Sequence, residues 1–230
     1  MFALTPLESE AILLSLRVAF WATLISLPIA IAVAWLLARV CFPGHTLLNG
    51  LVHLPLVVPP VVIGYLLLLL LGRNGPMGAW LYDWFAITVA FTWRGAAVAS
   101  AVMAFPLMVR AIRLSLENVD VRLEAAARTL GAPPIWVFAT VSMPLMLPGI
   151  LTGAMLAFAR SFGEFGATIT FVSNIPGETR TLPIALYSMT QVPGGEGGAL
   201  RLMILSIVIA MLALFVSELL ARRLRARLTE

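Results

Sequence analysis

Long intervals without a charged side chain constrain this sequence more than any other feature. Residues 18–38 hold none between Arg17 and Arg39, and residues 129–159 hold none at all. About 20 apolar residues in an α-helix, each rising 1.5 Å, cross the roughly 30 Å hydrocarbon core of a bilayer. Only 11% of the 230 residues are charged, whereas a soluble domain carries about 25%. The chain is therefore predicted to be an all-α membrane protein.

Five apolar intervals are long enough to be membrane-spanning helices, and we expect one transmembrane domain over residues 1–230. The intervals are residues 18–38, about 51–71, 84–109, 129–159 and 202–220. In the fourth, the spanning part begins after Pro133-Pro134. The second contains Pro55, Pro59 and Pro60, which predict a break or kink in its first part. After the fourth span, residues of about 166–200 are predicted to form an outer hairpin or a short interfacial helix.

The arginines predict the orientation, because short cytoplasmic segments of membrane proteins are enriched in positive charge. With the N-terminus outside, the inner segments carry nine arginines and the outer segments three, while the other three lie at or within span ends. The sequence thus predicts an outside N-terminus and a cytoplasmic C-terminus. The excess of 15 basic over 11 acidic residues follows from this topology, and it gives no reason to expect a nucleic acid partner.

All 15 basic side chains are arginines, and the absence of lysine excludes a lysine-containing phosphate-binding loop and Schiff-base chemistry. Cys41 is the only cysteine, which excludes an internal disulfide and a cysteine-based zinc cluster. His45 and His53 are too few for a His-rich metal site. We therefore expect no enzyme site, no metal site and no cofactor in this chain. If ATP drives the protein, ATP and Mg²⁺ bind a separate ATPase.

A polar segment, residues 117–135 approximately, follows the third span, and its sequence contains start and stop signals of a helix. Asp120 is a suitable N-cap, Gly131 can adopt the positive φ of a C′ residue, and Pro133-Pro134 prevents continuation. The apolar side chains of this helix of about ten residues share one face, and they are Leu123, Ala127 and Leu130. The residues alone allow two interpretations, which are insertion into a cleft of a partner and a connector resting on lipid headgroups.

This segment resembles the cytoplasmic signature of ATP-binding cassette importer permeases, in which a Glu-Ala-Ala triplet precedes a glycine and, further on, Ile-x-Leu-Pro. Here Ala125-Ala126-Ala127 precedes Gly131, and the tail is Val141, Met143 and Pro144. The acidic residue, Glu124, lies one place earlier than in the family. The resemblance implies a type I ABC importer permease architecture whose helix contacts an ATPase. The residues expected to couple to that ATPase are Asp120, Arg122, Leu123, Glu124, Ala125, Ala126, Ala127, Arg128 and Gly131.

Three further passages resemble oxyanion importers, and molybdate permeases in particular. They are residues 54–65, 158–168 and 174–183, and the second contains a Gly-Glu-Phe-Gly element similar to that of sulfate permeases. The resemblance implies an inner-membrane homodimer, two cytoplasmic ATP-binding cassette subunits and a soluble periplasmic or extracytoplasmic oxyanion-binding protein. The expected cargo is molybdate, with tungstate as a related candidate. The alternatives are sulfate or thiosulfate import, an ion-coupled secondary transporter, and a structural membrane anchor.

Ionisable side chains near the outer end of the fourth span point to a pathway or gate. Arg160 and Glu164 are four residues apart, so we expect them on one helix face. Ionisable groups at membrane depth usually face a bundle interior or an aqueous path. The pair is expected to form an outer gate or the dimer-facing wall of the path, or else to fasten one helix turn. Gly163 and Gly166 would allow close helix approach or bending, or act as ordinary packing residues.

Two other polar features allow a functional and a structural interpretation. The loop containing Thr179 and Arg180 is suited to contact with a docked binding protein, although an ordinary solvated loop has a similar composition. Arg94 is expected to anchor its helix at the membrane surface, with a place on the pathway of a dianion as the alternative.

Overall fold

The computed structural model describes residues 5–228, and the regular secondary structure in that range is helical. The prediction of an all-α fold is confirmed. In chain order the helices are α1 Pro6–Arg39, α2 His45–Val57, α3 Pro60–Leu71, α4 Pro76–Phe85, α5 Trp93–Glu117, α6 Val121–Thr129, α7 Pro134–Val137, α8 Met143–Phe162, α9 Gly166–Val172, α10 Leu182–Thr190 and α11 Glu196–Leu228. A π-helical turn, Phe138–Ser142, joins α7 to α8.

Four helical segments in the described part of the chain are long and apolar enough to cross a membrane. They are Pro6–Arg39, Trp93–Glu117, Pro134–Phe162 and the Glu196–Ala213 part of α11. The pair α2 and α3 is bent by 115° and would make a fifth span. The structure therefore agrees with the prediction of about five spans.

The second span differs from the sequence prediction, because residues 51–71 do not form one helix. Helix α2 ends at Val57, and α3 begins at Pro60. Val58 between them is extended, with φ −75° and ψ 138°, as expected for a residue that precedes a proline. Pro59 and Pro60 also lack the backbone N–H groups that a continuous helix would use. The predicted break is thus present, and it separates two helices that point in very different directions.

Helices α1, α5 and α8 form the centre of the bundle. Ala30 and Ala34 of α1 are fully buried against Met108 and Ile112 of α5, and Met146 of α8 joins the same apolar cluster. Small side chains let these helices approach closely. The closest approach is between α5 and α8, where a Cβ atom on Gly149 would collide with Ser115 and one on Gly153 would lie 3.0 Å from the carbonyl oxygen of Met108.

The two ends of this bundle have different neighbours, and we name them after residues of α1. The "Arg39 end" contains the C-terminal ends of α1 and α5, the helix α6, and the π-helical turn before α8. The "Glu8 end" contains the starts of α1, α5 and α11, the end of α8, and the helices α3, α9 and α10. Each end has its own apolar cluster.

The outer region predicted for residues 166–200 contains two helices, α9 and α10, and the first packs into the apolar cluster of the Glu8 end. Ala167, Phe171 and Val172 of α9 are fully buried in the apolar cluster of the Glu8 end. A Cβ atom on Gly64 of α3 would lie 2.5 Å from the carbonyl oxygen of Ala167, so the two helices are in close contact. The burial of one side of α9, which a short sequence interval does not reveal, attaches it to the bundle.

Candidate functional site

Helix α6 has the capped form that the sequence predicts. The side chain of Asp120 accepts a hydrogen bond from the backbone N–H of Arg122 at 2.9 Å. At the other end, Gly131 has φ +86°, and the N–H of Ala132 donates to the carbonyl oxygen of Ala127 at 3.2 Å. These contacts satisfy backbone groups that a helix leaves free at its ends. The helix therefore has a definite start and end, which suits a rigid connecting element.

Glu124 of α6 is buried and fixes the helix to its own chain. Its Oε1 atom accepts hydrogen bonds from the Nε and Nη2 atoms of Arg39, at 3.2 and 3.1 Å, and from the hydroxyl of Ser142 at 2.9 Å. The Nη2 atom of Arg39 also donates to the carbonyl oxygens of Leu116 and Val119, at 3.0 and 3.1 Å. We call these contacts the "Arg39–Glu124 joint". The joint connects α6 to the ends of α1 and α5 and to the π-helical turn.

The joint divides the predicted coupling residues into two groups. Glu124 points into the protein, with only 6% of its side chain exposed, and Ala127 is half-buried. The other coupling residues are accessible at the surface, and they are Asp120, Arg122, Leu123, Ala125, Ala126, Arg128 and Gly131. Their role as contacts of an ATPase stays a prediction. Arg39 and Ser142 were missed by the sequence interpretation, since nothing local connects them to Glu124.

An exposed apolar surface surrounds the accessible side of α6. Leu130 is 88% exposed and Ile135 is 83% exposed, and Leu123, Val121 and Trp136 are also largely open. Large apolar side chains gathered around a polar helix are typical of a protein interaction surface. The sequence identified Leu123 and Leu130 but missed the contribution of Ile135 and Trp136, which follow the two prolines that end the segment.

Glu164 lies in the turn between α8 and α9. The sequence predicted that Arg160 and Glu164 share a helix face, but α8 ends at Phe162 and Gly163 is its C-cap. The ion pair still forms, with Nη1 of Arg160 2.5 Å from Oε2 of Glu164, whose side chain is 1% exposed. The Oε1 atom accepts a hydrogen bond from the N–H of Ala167 at 2.8 Å. Glu164 therefore fixes both the end of α8 and the start of α9.

The two glycines beside Glu164 have different environments. A Cβ atom on Gly166 would lie 2.7 Å from Cβ of Pro60, whereas one on Gly163 would have no neighbour closer than 3.9 Å. Gly166 thus allows α9 to approach the start of α3 within this chain. Gly163 ends α8 without a packing restriction.

Thr179 itself is not exposed for contact with a docked protein, while contact by the rest of its loop stays a prediction. It is fully buried, its hydroxyl accepts a hydrogen bond from the N–H of Ile175 at 2.9 Å, and it donates to the carbonyl oxygen of Ser173 at 3.2 Å. Its hydroxyl thus shapes the turn from inside. Arg180 is half-buried, and its Nε atom donates to the side chain of Asn174 at 2.7 Å.

Two contacts at the Glu8 end were missed by the sequence interpretation. Glu8 is fully buried and accepts hydrogen bonds from the Nε and Nη2 atoms of Arg201, at 3.2 and 2.9 Å, which joins α1 to α11. The side chain of Glu178 accepts a hydrogen bond from the N–H of Trp93 at 3.2 Å, which fixes the loop before α10 to the start of α5. Both partners lie far apart in the chain, so no local signal could have indicated them.

A bundle of apolar spanning helices with an accessible, capped helix at one end is the architecture of a polytopic membrane protein with an exposed surface for another protein. Residues 26–226 match the family described as "binding-protein-dependent transport system inner membrane component", and the chain belongs to that family. It is thus a multi-pass inner-membrane transport subunit, not an enzyme.

Curated relatives and solved structures agree with this assignment. The chain is 64% identical over 224 residues to the molybdenum transport system permease protein ModB of Escherichia coli K12, covering 97% of this chain and 98% of the relative. It is 58% identical to ModB of Haemophilus influenzae over 96% and 97% of the two chains. The sulfate transport system permease protein CysT of E. coli is 38% identical, over 81% of this chain and 67% of that relative.

Two solved structures share the fold at low sequence identity. A bacterial ABC transporter involved in the import of the acidic polysaccharide alginate matches with a TM-score of 0.73 and 15% identity, over 96% of this chain and 80% of that chain. The MetNI methionine ABC transporter, in an inward-facing conformation, matches with a TM-score of 0.70 and 15% identity, over 94% of both chains. The fold is therefore that of ABC importer permeases.

Proposed function

We propose that this chain is the membrane-spanning permease subunit of an ATP-driven importer for molybdate, and that it moves the oxyanion by alternating access. The observation that carries the proposal is 64% identity with a molybdenum transport permease along nearly the whole length of both chains. Tungstate, a tetrahedral dianion like molybdate, is a second candidate cargo. Sulfate import has weaker support, since the sulfate permease CysT is 38% identical and the match covers 67% of its length.

The partners in this proposal are two ATP-binding cassette subunits and a soluble binding protein, around a permease homodimer. The accessible side of α6 and the exposed Leu130, Ile135 and Trp136 form a surface suited to a groove on an ATPase. This placement requires the Arg39 end to face the cytoplasm, which agrees with the arginine distribution. The binding protein would then dock at the Glu8 end.

In this proposal, the Arg39–Glu124 joint transmits movement. A helix that is bonded to α1, to α5 and to the turn before α8 cannot shift without moving the ends of those helices. Closure of the ATPases would therefore displace the central bundle as a rigid body. The hydrogen-bonded ends of α6 support such a mechanism.

The Arg160–Glu164 pair is proposed as part of the outer gate. It lies at the Glu8 end, at the point where α8 gives way to α9, and α9 is in contact with α3. If the Arg160–Glu164 pair were rearranged, the turn would change shape, and α9 would move together with α3. An ion-coupled secondary transporter has less support, because the buried carboxylates of Glu8, Glu124 and Glu164 each pair with an arginine near a helix end.

Reconstitution with the candidate ATPase and binding protein tests the function. Proteoliposomes should accumulate molybdate only with ATP and loaded binding protein, and molybdate-loaded binding protein should stimulate ATP hydrolysis more than sulfate does. Hydrolysis that responds equally to every oxyanion would contradict the cargo, and uptake without ATP would contradict the importer.

A further inference from the structure

One face of the α5–α8 pair is left open by the rest of the chain. Helix α1 covers the opposite face, where Ala30, Ala34 and Met108 are buried. On the open face lies a groove of about 580 Å³, which we call the "Arg110 groove". Its lining comes from α5 and α8 alone, and the side chains used below are Arg110, Ser115, Asn118 and Thr152.

Arg110 differs from the other arginine in the same helical region. Arg113, one turn further along α5, donates to Glu117 at 2.7 Å and to Asn49 at 3.0 Å. Arg110 has no hydrogen bond or ion pair to any residue in the described range of 5–228, and its side chain is exposed. Its positive charge therefore lacks a partner within this chain.

Arg110 directly follows the third span predicted from the sequence, residues 84–109, and the helix Trp93–Glu117 continues beyond it towards the Arg39 end. Arg110 lies six residues, or about 9 Å along the helix axis, further into the bundle than Leu116, whose carbonyl oxygen contacts Arg39. An ionisable group inside a spanning helix usually faces a bundle interior or a water-filled cavity, since hydrocarbon solvates it poorly. The hydroxyls of Ser115 and Thr152 and the amide of Asn118 line the same groove.

The charge of the groove is of one sign. It is lined by one arginine and by no carboxylate among the described residues. Thr152, Leu156 and Arg160 follow one another at four-residue spacing, so Arg160 continues this face of α8 towards the Glu8 end. Arg160 is paired with Glu164, whereas Arg110 is free to bind an anion.

By contrast, a second groove, between α1, α8 and α11, is lined almost entirely by apolar side chains. It includes Leu151 and Met155 of α8, Phe20 of α1 and Leu212 of α11. Leu151 is the chain neighbour of Thr152 and points to this other side. The two sides of α8 therefore differ, because the Arg110 groove adds one arginine and three other polar side chains to a largely apolar wall, whereas the second groove has none of these.

We propose that the Arg110 groove is the inner part of the anion pathway, and that Arg110 binds the tetrahedral dianion in transit. This inference rests on the proposed function. A guanidinium group offers up to five N–H donors to oxyanions, and the hydroxyl of Ser115 can rotate to donate as well, whereas that of Thr152 donates to the carbonyl oxygen of Pro148 at 2.8 Å. The dianion would leave the paired Arg160 region and meet Arg110 before release at the Arg39 end.

Transport assays test the role of Arg110. In proteoliposomes with ATPase and binding protein, Arg110→Gln should lower molybdate uptake by about tenfold or more, because hydrogen bonds to charged groups are strong. Arg110→Lys should keep a substantial part of the uptake. The matched control is Arg113→Gln on the same helix, because Arg113 pairs with Glu117 and does not line the groove, and this variant should transport like the unmodified protein.

Two readouts separate a pathway role from misfolding and from a wrong cargo. ATP hydrolysis stimulated by loaded binding protein should persist in Arg110→Gln, since α6 is unchanged. If the unmodified protein transports sulfate and not molybdate, the cargo proposal fails, and the same variant should then lower sulfate uptake. Equal uptake by Arg110→Gln and Arg113→Gln, with any cargo, would overturn the inference.

Thiol labelling tests whether the groove holds water. With Cys41, the only cysteine, replaced by serine, Thr152→Cys should react with a membrane-impermeant, negatively charged thiol reagent. Leu151→Cys, on the apolar side, should stay protected. Protection of both cysteines would overturn the inference and indicate that lipid or a second copy covers the open face; a disulfide between two copies at Thr152→Cys would identify the second copy.

Discussion

Two buried glutamates at opposite ends of the bundle pair with arginine in different ways. Glu124 pairs with Arg39, 85 residues away in the chain, and also accepts a hydrogen bond from Ser142. Glu164 pairs with Arg160, four residues away, and otherwise caps the helix that follows. The first pair ties together elements that are distant in sequence, whereas the second shapes one turn.

This difference suits the two proposed roles. A coupling element must move as one body with the spanning helices, and the Arg39–Glu124 joint fixes α6 to several of them. A gate must change its form, and a local ion pair can be rearranged without separating distant helices. The comparison predicts larger losses of stability from changes at Glu124 than from changes at Glu164, and the substitutions below test that order.

The largest effect is expected for Glu124→Ala. Removal of one partner leaves Arg39 buried beside two carbonyl oxygens without its counter-charge, and breaking a buried pair in this way costs about 3–5 kcal/mol. The thermal unfolding midpoint of the purified protein should fall. The control is Arg128→Gln, because Arg128 is 58% exposed and 3.9 Å from Glu124, where surface pairs contribute less than about 1 kcal/mol. Similar losses in the two variants would contradict the joint.

The second-largest loss of stability is expected for Gly166→Ala. The new methyl group would collide with Pro60, and overpacking of this kind costs about 1–3 kcal/mol. Thermal unfolding measures the loss. Gly163→Ala is the matched control, because its methyl group would have open space. If the control is destabilised as much, the close packing of α9 on α3 is not the cause.

A smaller loss of stability is expected for Glu164→Gln. The glutamine can still accept the hydrogen bond from Ala167, and Arg160 is 30% exposed, so the cost should be about 1 kcal/mol. Uptake should nevertheless fall, with ATP hydrolysis less dependent on loaded binding protein, if the pair belongs to the gate. If the variant transports like the unmodified protein, the pair only stabilises the turn and is not part of the gate.

The smallest effect on stability is expected for Leu130→Asp. Leu130 is 88% exposed, and surface substitutions usually change stability by less than about 0.5 kcal/mol. The unfolding midpoint should stay unchanged, while the amount of ATPase that co-purifies should drop because a charge enters the apolar surface around α6. Undiminished co-purification would place the ATPase elsewhere.

The contacts of α9 show where sequence reasoning about the fold was incomplete. The helix is short and interrupted by polar turns, so its residues resemble an interfacial segment. In the structure, the buried side of α9 packs against α3 and α5, which come from earlier parts of the chain. Likewise, the proline-rich passage indicated a break, but the angle of 115° between α2 and α3 depends on what each helix packs against.

The sequence by itself determined the features that depend on near neighbours and on solvent. Charge-free intervals determined an all-α membrane protein, and Asp120 and Gly131 determined the ends of α6, because caps act within a few residues. Only the tertiary structure decided the direction of each side chain, the partners of Arg39 and Glu8, and the unpaired position of Arg110 among the described residues. The physical reason is that a buried charge needs a partner in space, and helices packed side by side bring together residues that the chain separates by up to 193 positions.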